Sequence, residues 1–486
     1  MLSEHLKTNI QEMENRLPIK KSFDFIERKL YIGQKEACLF AINGMTDSDI
    51  LQQIISDLQK PALESGTESI DKSTSQNLVH LIGSEIGYAQ VNLSDSMDEI
   101  VTELLKGPSV LFIEGFSKAV LLDVRSYPKR SISEPDTEKI TRGPREGFVE
   151  TLLQNANLIR RRIRSPKLTF ELHNVGDKSC TDISVIYMEN LVNKGLLDKI
   201  REKLDSLSVT SLTMGSKSLE ELLIPKHWWN PLPNIQQTER PDVACSYLLE
   251  GHILIMVDNS PITLILPCTI FQFLQSPEDY YKNPLVGAYF RMVRFFCIPV
   301  SLLLLPLFLL ITAYYPDLSR NWQLLSTGQM APARIIFYVF AVEFLLDLFK
   351  YSASLSSSRF SGSLSIIGGL LIGDMTVQLN WASMEILFYA AVTLLASYSM
   401  SSMEFAEAIK IYRLLLLIAI SFFGTKGFIA GLILMFLSII TTPTFGGMSY
   451  FWPLFPFNGE ALCNLLFRRP TAKVQPDKVW KRGDVK

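Results

Sequence analysis

Between residues 291 and 441 the chain holds long apolar runs with few charges, whereas residues 1–250 are densely charged. One part of the chain suits lipid and the other suits water. The whole-chain averages, 20% charged and 48% hydrophobic, would fit an ordinary soluble protein and conceal this division. The length of 486 residues allows two or three domains. A net charge of −2 makes no case for general nucleic-acid binding.

Phe295–Tyr315 is long enough to cross about 30 Å of hydrocarbon, with Pro299 and Pro306 expected to kink it. Ile335–Phe349, Leu364–Leu379 and Glu385–Met400 are three further candidates. Ile411–Ile440 is interrupted by Gly424-Thr425-Lys426-Gly427. It reads either as one long tilted helix or as a re-entrant pair of half-helices, each too short to cross alone. Arg291 and Arg294, Lys350 and Arg359, Lys410 and Arg413, then Arg468, Arg469 and Lys473 alternate between segments as the positive-inside rule requires. That pattern puts the N-terminal side inside and favours the re-entrant pair. Lys426 reads as a loop charge. The expectation is an all-α transmembrane domain of four to six membrane segments over residues 291–445, followed by a cytoplasmic tail over 446–486.

The polar half reads as an α/β soluble N-terminal region of two small subdomains. Ala37–Ile42 is a buried strand, Ile50–Leu58 a helix ending near Pro61, and Val110–Ile113 and Ala119–Val124 are strands joined by a tight turn. These form subdomain 1, residues 1–130. The proline-bearing stretch 125–146 reads as a linker. Subdomain 2, within residues 131–225, takes a helix from Phe148 to Ile163, strands at Leu168–His173 and Asp182–Tyr187, and a helix at Leu196–Leu207. Residues 226–290 read as a membrane-proximal connector. In it His252–Val257 and Ile262–Leu266 form a hairpin around Asp258-Asn259-Ser260-Pro261. Tyr280, Tyr281, Tyr289, Arg291 and Arg294 have the character of a headgroup anchor. No secretory leader is visible, so the polar region is expected to stay in the cytoplasm. The six cysteines lack metal-ligand or disulfide spacing.

The acids inside the apolar segments carry the functional signal. Glu343 and Asp347 share a helix face, as do Asp374 and Gln378, and Glu385 begins a face continuing through Tyr389, Thr393 and Ser397. A carboxylate in lipid costs at least a few kcal/mol, so these groups are expected to face protein or water. They are candidates for a cation pathway or a gate. The alternative is structural: Asp347 pairing with Lys350 one turn on, and Glu385 at headgroup level beside Trp381. Ser365, Gly369 and Gly373 form a small-residue stripe suited to close helix packing. Arg142, Arg145, Arg160, Arg161 and Arg162, interspersed with acids, read as ion pairs or an interface. There is no phosphate loop, HExxH or GxSxG motif, and the five histidines lie far apart. Neither an enzyme nor a cofactor or metal site is expected.

Several long stretches carry a family resemblance: SEPDTEKITRGPREGFVETLLQNANLIRRRI (Ser133–Ile163), WWNPLPNIQQTERPDV (Trp228–Val243), LLEGHILIMVDNSP (Leu248–Pro261), LLIGDMTVQ (Leu370–Gln378) and SYFWPLFPFN (Ser449–Asn458). The chain resembles the A-subunit family of spore germinant receptors over nearly its whole length. It departs modestly at Asn155-Ala156-Asn157, where Asn-Thr-Ala is expected. SYPKRSISEPDTE (Ser126–Glu138) and the short N-terminus resemble one member in particular. The resemblance implies a multi-pass protein of the spore inner membrane that works in germination. It further implies a homo-oligomer, with a pentamer as the expected state, around a pore for monovalent cations. A small membrane partner protein, other germination proteins and membrane lipid are the implied partners. A non-conducting scaffold is the alternative, and a secondary transporter the weakest reading, since no internal sequence repeat is seen.

Overall fold

The computed structural model describes residues 2–32, 35–64, 90–126, 138, 140–224, 229–321, 330–355, 383–447 and 449–466. Its polar half is two copies of one arrangement. The first unit runs α1 (Leu6–Arg16), β1 (Phe25–Ile32), β2 (Lys35–Ile42), α2 (Ser48–Glu64), β3 (Val91–Ser94), α3 (Met97–Lys106), β4 (Ser109–Ile113) and β5 (Ala119–Leu122). Its antiparallel sheet has the order β1-β2-β4-β5-β3. The second unit runs α4 (Leu152–Arg162), β6 (Leu168–Val175), β7 (Thr181–Met188), α5 (Lys194–Asp205), α6 (Ser216–Leu223), β8 (Gln236–Thr238), α7 (Pro241–Glu250), β9 (Ile253–Val257) and β10 (Thr263–Leu266). Its order, β6-β7-β9-β10-β8, repeats that of the first strand for strand.

Strand β2 shows why the sequence folds this way. Ala37–Ile42 is apolar at every position because the sheet is covered on both faces. Cys38, Phe40 and Ile42 pack with Met13 of α1 and Leu104 of α3, while Ala37 and Leu39 pack with Ile54 and Leu58 of α2. The expected end of α2 near Pro61 is not a stop; the helix continues to Glu64. In the second unit Ile183, Val185 and Tyr187 face α5 and α6, and Ile186 and Met188 face α4 and α7. The hairpin expected in the connector is present as β9–β10. It is part of the second sheet, because β9 pairs with β7 (Ile183 opposite Val257).

A buried ion pair joins the units. Arg160 of α4 donates from Nε to Asp24 Oδ2 (2.7 Å), and its other nitrogens bond the carbonyls of Ser165 and Leu168. The guanidinium also lies over the rings of Phe25 and Phe170. Phe23 N–H donates to the Phe170 carbonyl and Ser22 Oγ accepts from Phe170 N–H, which adds hydrogen bonds between the two units beside the ion pair.

The C-terminal half is helical: α8 (Glu278–Tyr281), α9 (Pro284–Tyr314), α10 (Pro316–Asn321), α11 (Pro332–Leu355), α12 (Met384–Tyr398), α13 (Met403–Ile440) and α14 (Gly459–Leu466). Among the described residues, Pro284–Tyr314 and Met403–Ile440 are long and apolar enough to cross a membrane. Helix α9 starts eleven residues before the expected span, with Pro284 in its first turn and the Asn283 side chain accepting from Leu285 N–H. It runs through Pro299 and Pro306 as a single helix. The anchor arginines therefore lie within α9. Arg291 is buried, and both Arg291 and Arg294 pair with Asp279, so they hold the helix to the connector.

The open question at Ile411–Ile440 has a geometric answer. Gly424 leaves the helical conformation (φ 57°, ψ −133°), and the chain turns back there. Tyr412 and Ser438 are 26 residues apart, yet their hydroxyls lie 2.6 Å from each other. In a straight helix that separation is about 39 Å. Helix α13 is thus an antiparallel hairpin of two half-helices, with Lys426 exposed beside its apex. Tyr314, at the end of α9, seats its ring against Gly424 and donates to the carbonyls of Ile420 and Ser421.

Candidate functional site

Four helices meet around one buried arginine. Helix α13 begins at Ser402, whose side chain accepts from Phe405 N–H, and this start puts Glu407, Lys410 and Arg413 on one face. Helix α11 runs antiparallel to it and presents Glu343, Asp347 and Lys350. Arg413 Nη2 donates to Glu343 Oε2 (3.1 Å), Lys410 pairs with Asp347, and Lys350 Nζ donates to Glu407 Oε1 (3.1 Å). Arg413 Nη1 also donates to the carbonyl of Ser301 in α9 (2.9 Å), and Ser301 Oγ lies 2.9 Å from Ser397 Oγ in α12. The Arg413 and Glu343 residues are 3% and 4% exposed.

The site is therefore a ladder of three interhelical ion pairs, buried at one end and open at the other. Its rungs border a cavity of about 60 Å³ lined by Glu343, Asp347, Lys350, Lys410 and Arg413. Opposite charges in a low-dielectric interior attract strongly but are costly to desolvate, so breaking one partner is worse than never having had the pair. The ladder thus fixes the register of α11 against α13.

Two sequence expectations change here. Lys410 and Arg413 are not loop charges after the fourth segment; they lie inside the first leg of α13. Asp347 does not pair with Lys350 one turn on, because Lys410 reaches it across the interface. Glu407, Lys410 and Arg413 were missed as partners, although their i, i+3, i+6 spacing marks one helix face. Glu385 lies in the first turn of α12, where a negative charge suits the helix dipole, far along the bundle from the ladder. Asp374, Gln378, Ser365, Gly369 and Gly373 lie outside the described residues, which therefore do not place the expected third segment. Of the basic cluster, Arg160 forms the junction between the α/β units. Arg161 and Arg162 pair with Glu146 at the surface, and Arg142 and Arg145 are exposed.

The bundle's outer surface is apolar. Leu285 is 79% and Phe422 78% exposed, and Phe296, Phe337, Phe344, Phe423 and Leu434 are also largely exposed. So many large exposed apolar side chains on one bundle suit contact with lipid or with another protein.

A twin α/β region joined to a helical bundle with an apolar exterior and a charged interior defines a class of two-part proteins, one part suited to water and one to lipid. The sequence relationships are specific within that class. The family model described as Bacillus/Clostridium GerA spore germination protein matches residues 11–478, and the chain belongs to that family. It is 34% identical to stage V sporulation protein AF of Bacillus subtilis (strain 168) over 98% of this chain and 95% of that protein. It is 28% identical to spore germination protein KA of the same organism, over 100% of this chain and 89% of the relative. Among solved structures, the N-terminal domain of the A subunit of the Bacillus megaterium spore germinant receptor GerK3 aligns with 54% of this chain and 95% of its own, at 24% identity and a TM-score of 0.41.

Proposed function

We propose that the chain is a multi-pass membrane subunit of a spore germination complex, and that its helical bundle forms part of a path for monovalent cations. Its relatives are spore germination proteins, which supports the setting. The observation that carries the conduction reading is the ladder, whose Arg413–Glu343 rung is buried. A bundle that served only to pack gains little from buried ion pairs, since apolar side chains at such positions are often as good. Charged side chains inside a lipid-exposed bundle are costly, and they are typical of ion routes and proton relays. The small cavity beside the rungs supports the same reading. In this account the bundle lies in the spore inner membrane, the α/β units face the cytoplasm, and several copies assemble around the path with a small membrane partner protein. No catalysis is assigned to the chain.

One observation favours a second reading, a non-conducting scaffold. Glu343 and Asp347 are both spent on ion pairs, which leaves neither as a free carboxylate facing a pore. Asp347→Asn separates the two. Spores carrying the variant at normal protein abundance should release monovalent cations more slowly during nutrient-triggered germination. Unchanged release would favour the scaffold.

A further inference from the structure

A second cavity, of about 800 Å³, lies where the second α/β unit meets the bundle. Its walls come from β8 and α7, from the Gln275–Tyr281 connector, from Arg294 of α9, and from the turn between α12 and α13. Six acids line it: Glu138, Glu239, Asp242, Glu250, Glu278 and Glu404. Against them stand Arg294 in the wall and three bases that bond the acids from behind it, Arg240 to Asp242, Lys282 to Glu278 and Lys217 to Glu404. Among the described residues the six lining acids outnumber these bases, and Arg294 is itself paired with Asp279, so the lining is net acidic and raises the local concentration of small cations.

This junction cavity and the ladder cavity share three wall residues, Tyr398, Met400 and Met403. Tyr398 and Met403 are largely exposed, and Met400 is buried between the two spaces. On the far side, Arg413 lines the ladder cavity, and its Nε is buried with no hydrogen-bond acceptor among the described residues. A space of about 60 Å³ exceeds the roughly 10–15 Å³ that one water needs, and its charged walls supply the partners a water requires. Two spaces that both carry charged side chains in their walls thus share the buried apolar side chain of Met400. An apolar constriction blocks ions by excluding water rather than by filling the route with protein.

We propose that Met400, flanked by Tyr398 and Met403, is a hydrophobic plug between a cation-concentrating vestibule and the charged chamber of the same subunit. The proposal rests on the conduction reading, and it names the entrance and the barrier within it. Met400 sits in the turn linking α12 to α13, whose wall is shared with β8, α7 and the connector. A shift of the α/β unit therefore reaches the plug without any intervening element.

The test is chemical access in the full chain, reconstituted in lipid nanodiscs, with Cys180, Cys297 and Cys463 replaced by serine. Ser397→Cys puts a thiol in the chamber wall. Its rate of modification by a small positively charged methanethiosulfonate is then compared with Met400 intact, with Met400→Leu and with Met400→Ser. The expected result is slow labelling in the first two and labelling faster by about tenfold with Met400→Ser, whose side chain admits water. Equal rates in all three backgrounds would overturn the plug. Because labelling needs no ion flux, a plug-dependent rate without any cation conduction would sink the conduction reading and leave the plug standing.

Discussion

Arg413 and Glu343 form an ion pair 3.1 Å long between the first leg of α13 and α11, and the same guanidinium holds the Ser301 carbonyl of α9. Removing one partner strands the other charge in the interior. Glu343→Gln should destabilise the detergent-solubilised chain by about 3–5 kcal/mol, measured as a lower thermal midpoint and a lower folded yield. Replacing both residues with apolar ones of similar size, Glu343→Met with Arg413→Met, should recover most of the loss. A single variant as stable as the parent would show that the pair does not hold the two helices.

The Asp24–Arg160 pair tests the polar half in the same way. Arg160 bonds one carboxylate and two carbonyls and covers two aromatic rings, a geometry that lysine cannot reproduce. Arg160→Lys should therefore be nearly as damaging as Arg160→Met. Hydrogen exchange should show the loss at Ser22–Phe25 and Phe170, where the units meet. Protection unchanged there would remove the pair from its joining role.

Glu171, His173, Arg201 and Tyr187 form a titrating group on the second sheet. Burial pushes the Glu171 carboxyl up, but His173, Arg201 and Tyr187 outweigh it and bring the carboxyl down to about 2. A depressed carboxyl contributes stability that is present above the ordinary 4.5 and lost as pH falls towards 2. The neighbouring Glu171 raises His173, against the opposing effect of burial, with Asp205 adding to the rise. Its contribution is complete below 6.5 and disappears as pH rises through the folded value. Thermal midpoints followed from pH 2 upwards should show the acid-side loss in the parent and not in Glu171→Gln. His173→Gln should flatten the decline above 6.5. Both side chains remain in partial contact with solvent, so each effect is modest.

Gly424 has a backbone conformation that side chains avoid, and a Cβ there would meet the Tyr314 ring at 2.9 Å. Gly424→Ala should cost about 1–3 kcal/mol of hairpin stability. The matching readout is distance. Spin labels placed at Tyr412 and Ser438 should stay close in the parent and separate or broaden in the variant. Long distances in the parent would refute the hairpin.

Parts of this fold were legible in the sequence, for physical reasons that differ element by element. The run Ala37–Ile42 declared a buried strand because both faces of its sheet are covered. Gly424 and Gly427 declared a break because an apolar run of that length rarely carries two glycines around a lysine. Strand β8 left no trace, since Gln-Gln-Thr is polar and its place is set by β10 alone. Helix α7 did carry signals that were not used: Pro241 in its first turn and Gly251 at φ 98° just past its end. The ladder was half visible. Glu343 and Asp347 stood out as acids in an apolar run, but their partners lie 70 and 63 positions away. Charges that neutralise one another across a helix pair look like loop charges until the pairing is known. Arg160 was marked only as one arginine in a cluster, and nothing local connects it to Asp24.

The central claim is conduction, and the most direct measurement is monovalent cation efflux from liposomes containing the purified full chain and its small membrane partner. The account predicts efflux above that of protein-free vesicles, reduced by Asp347→Asn at equal incorporation. Vesicles that hold their cations, although the protein is folded, inserted and partnered, would contradict it and leave a scaffold.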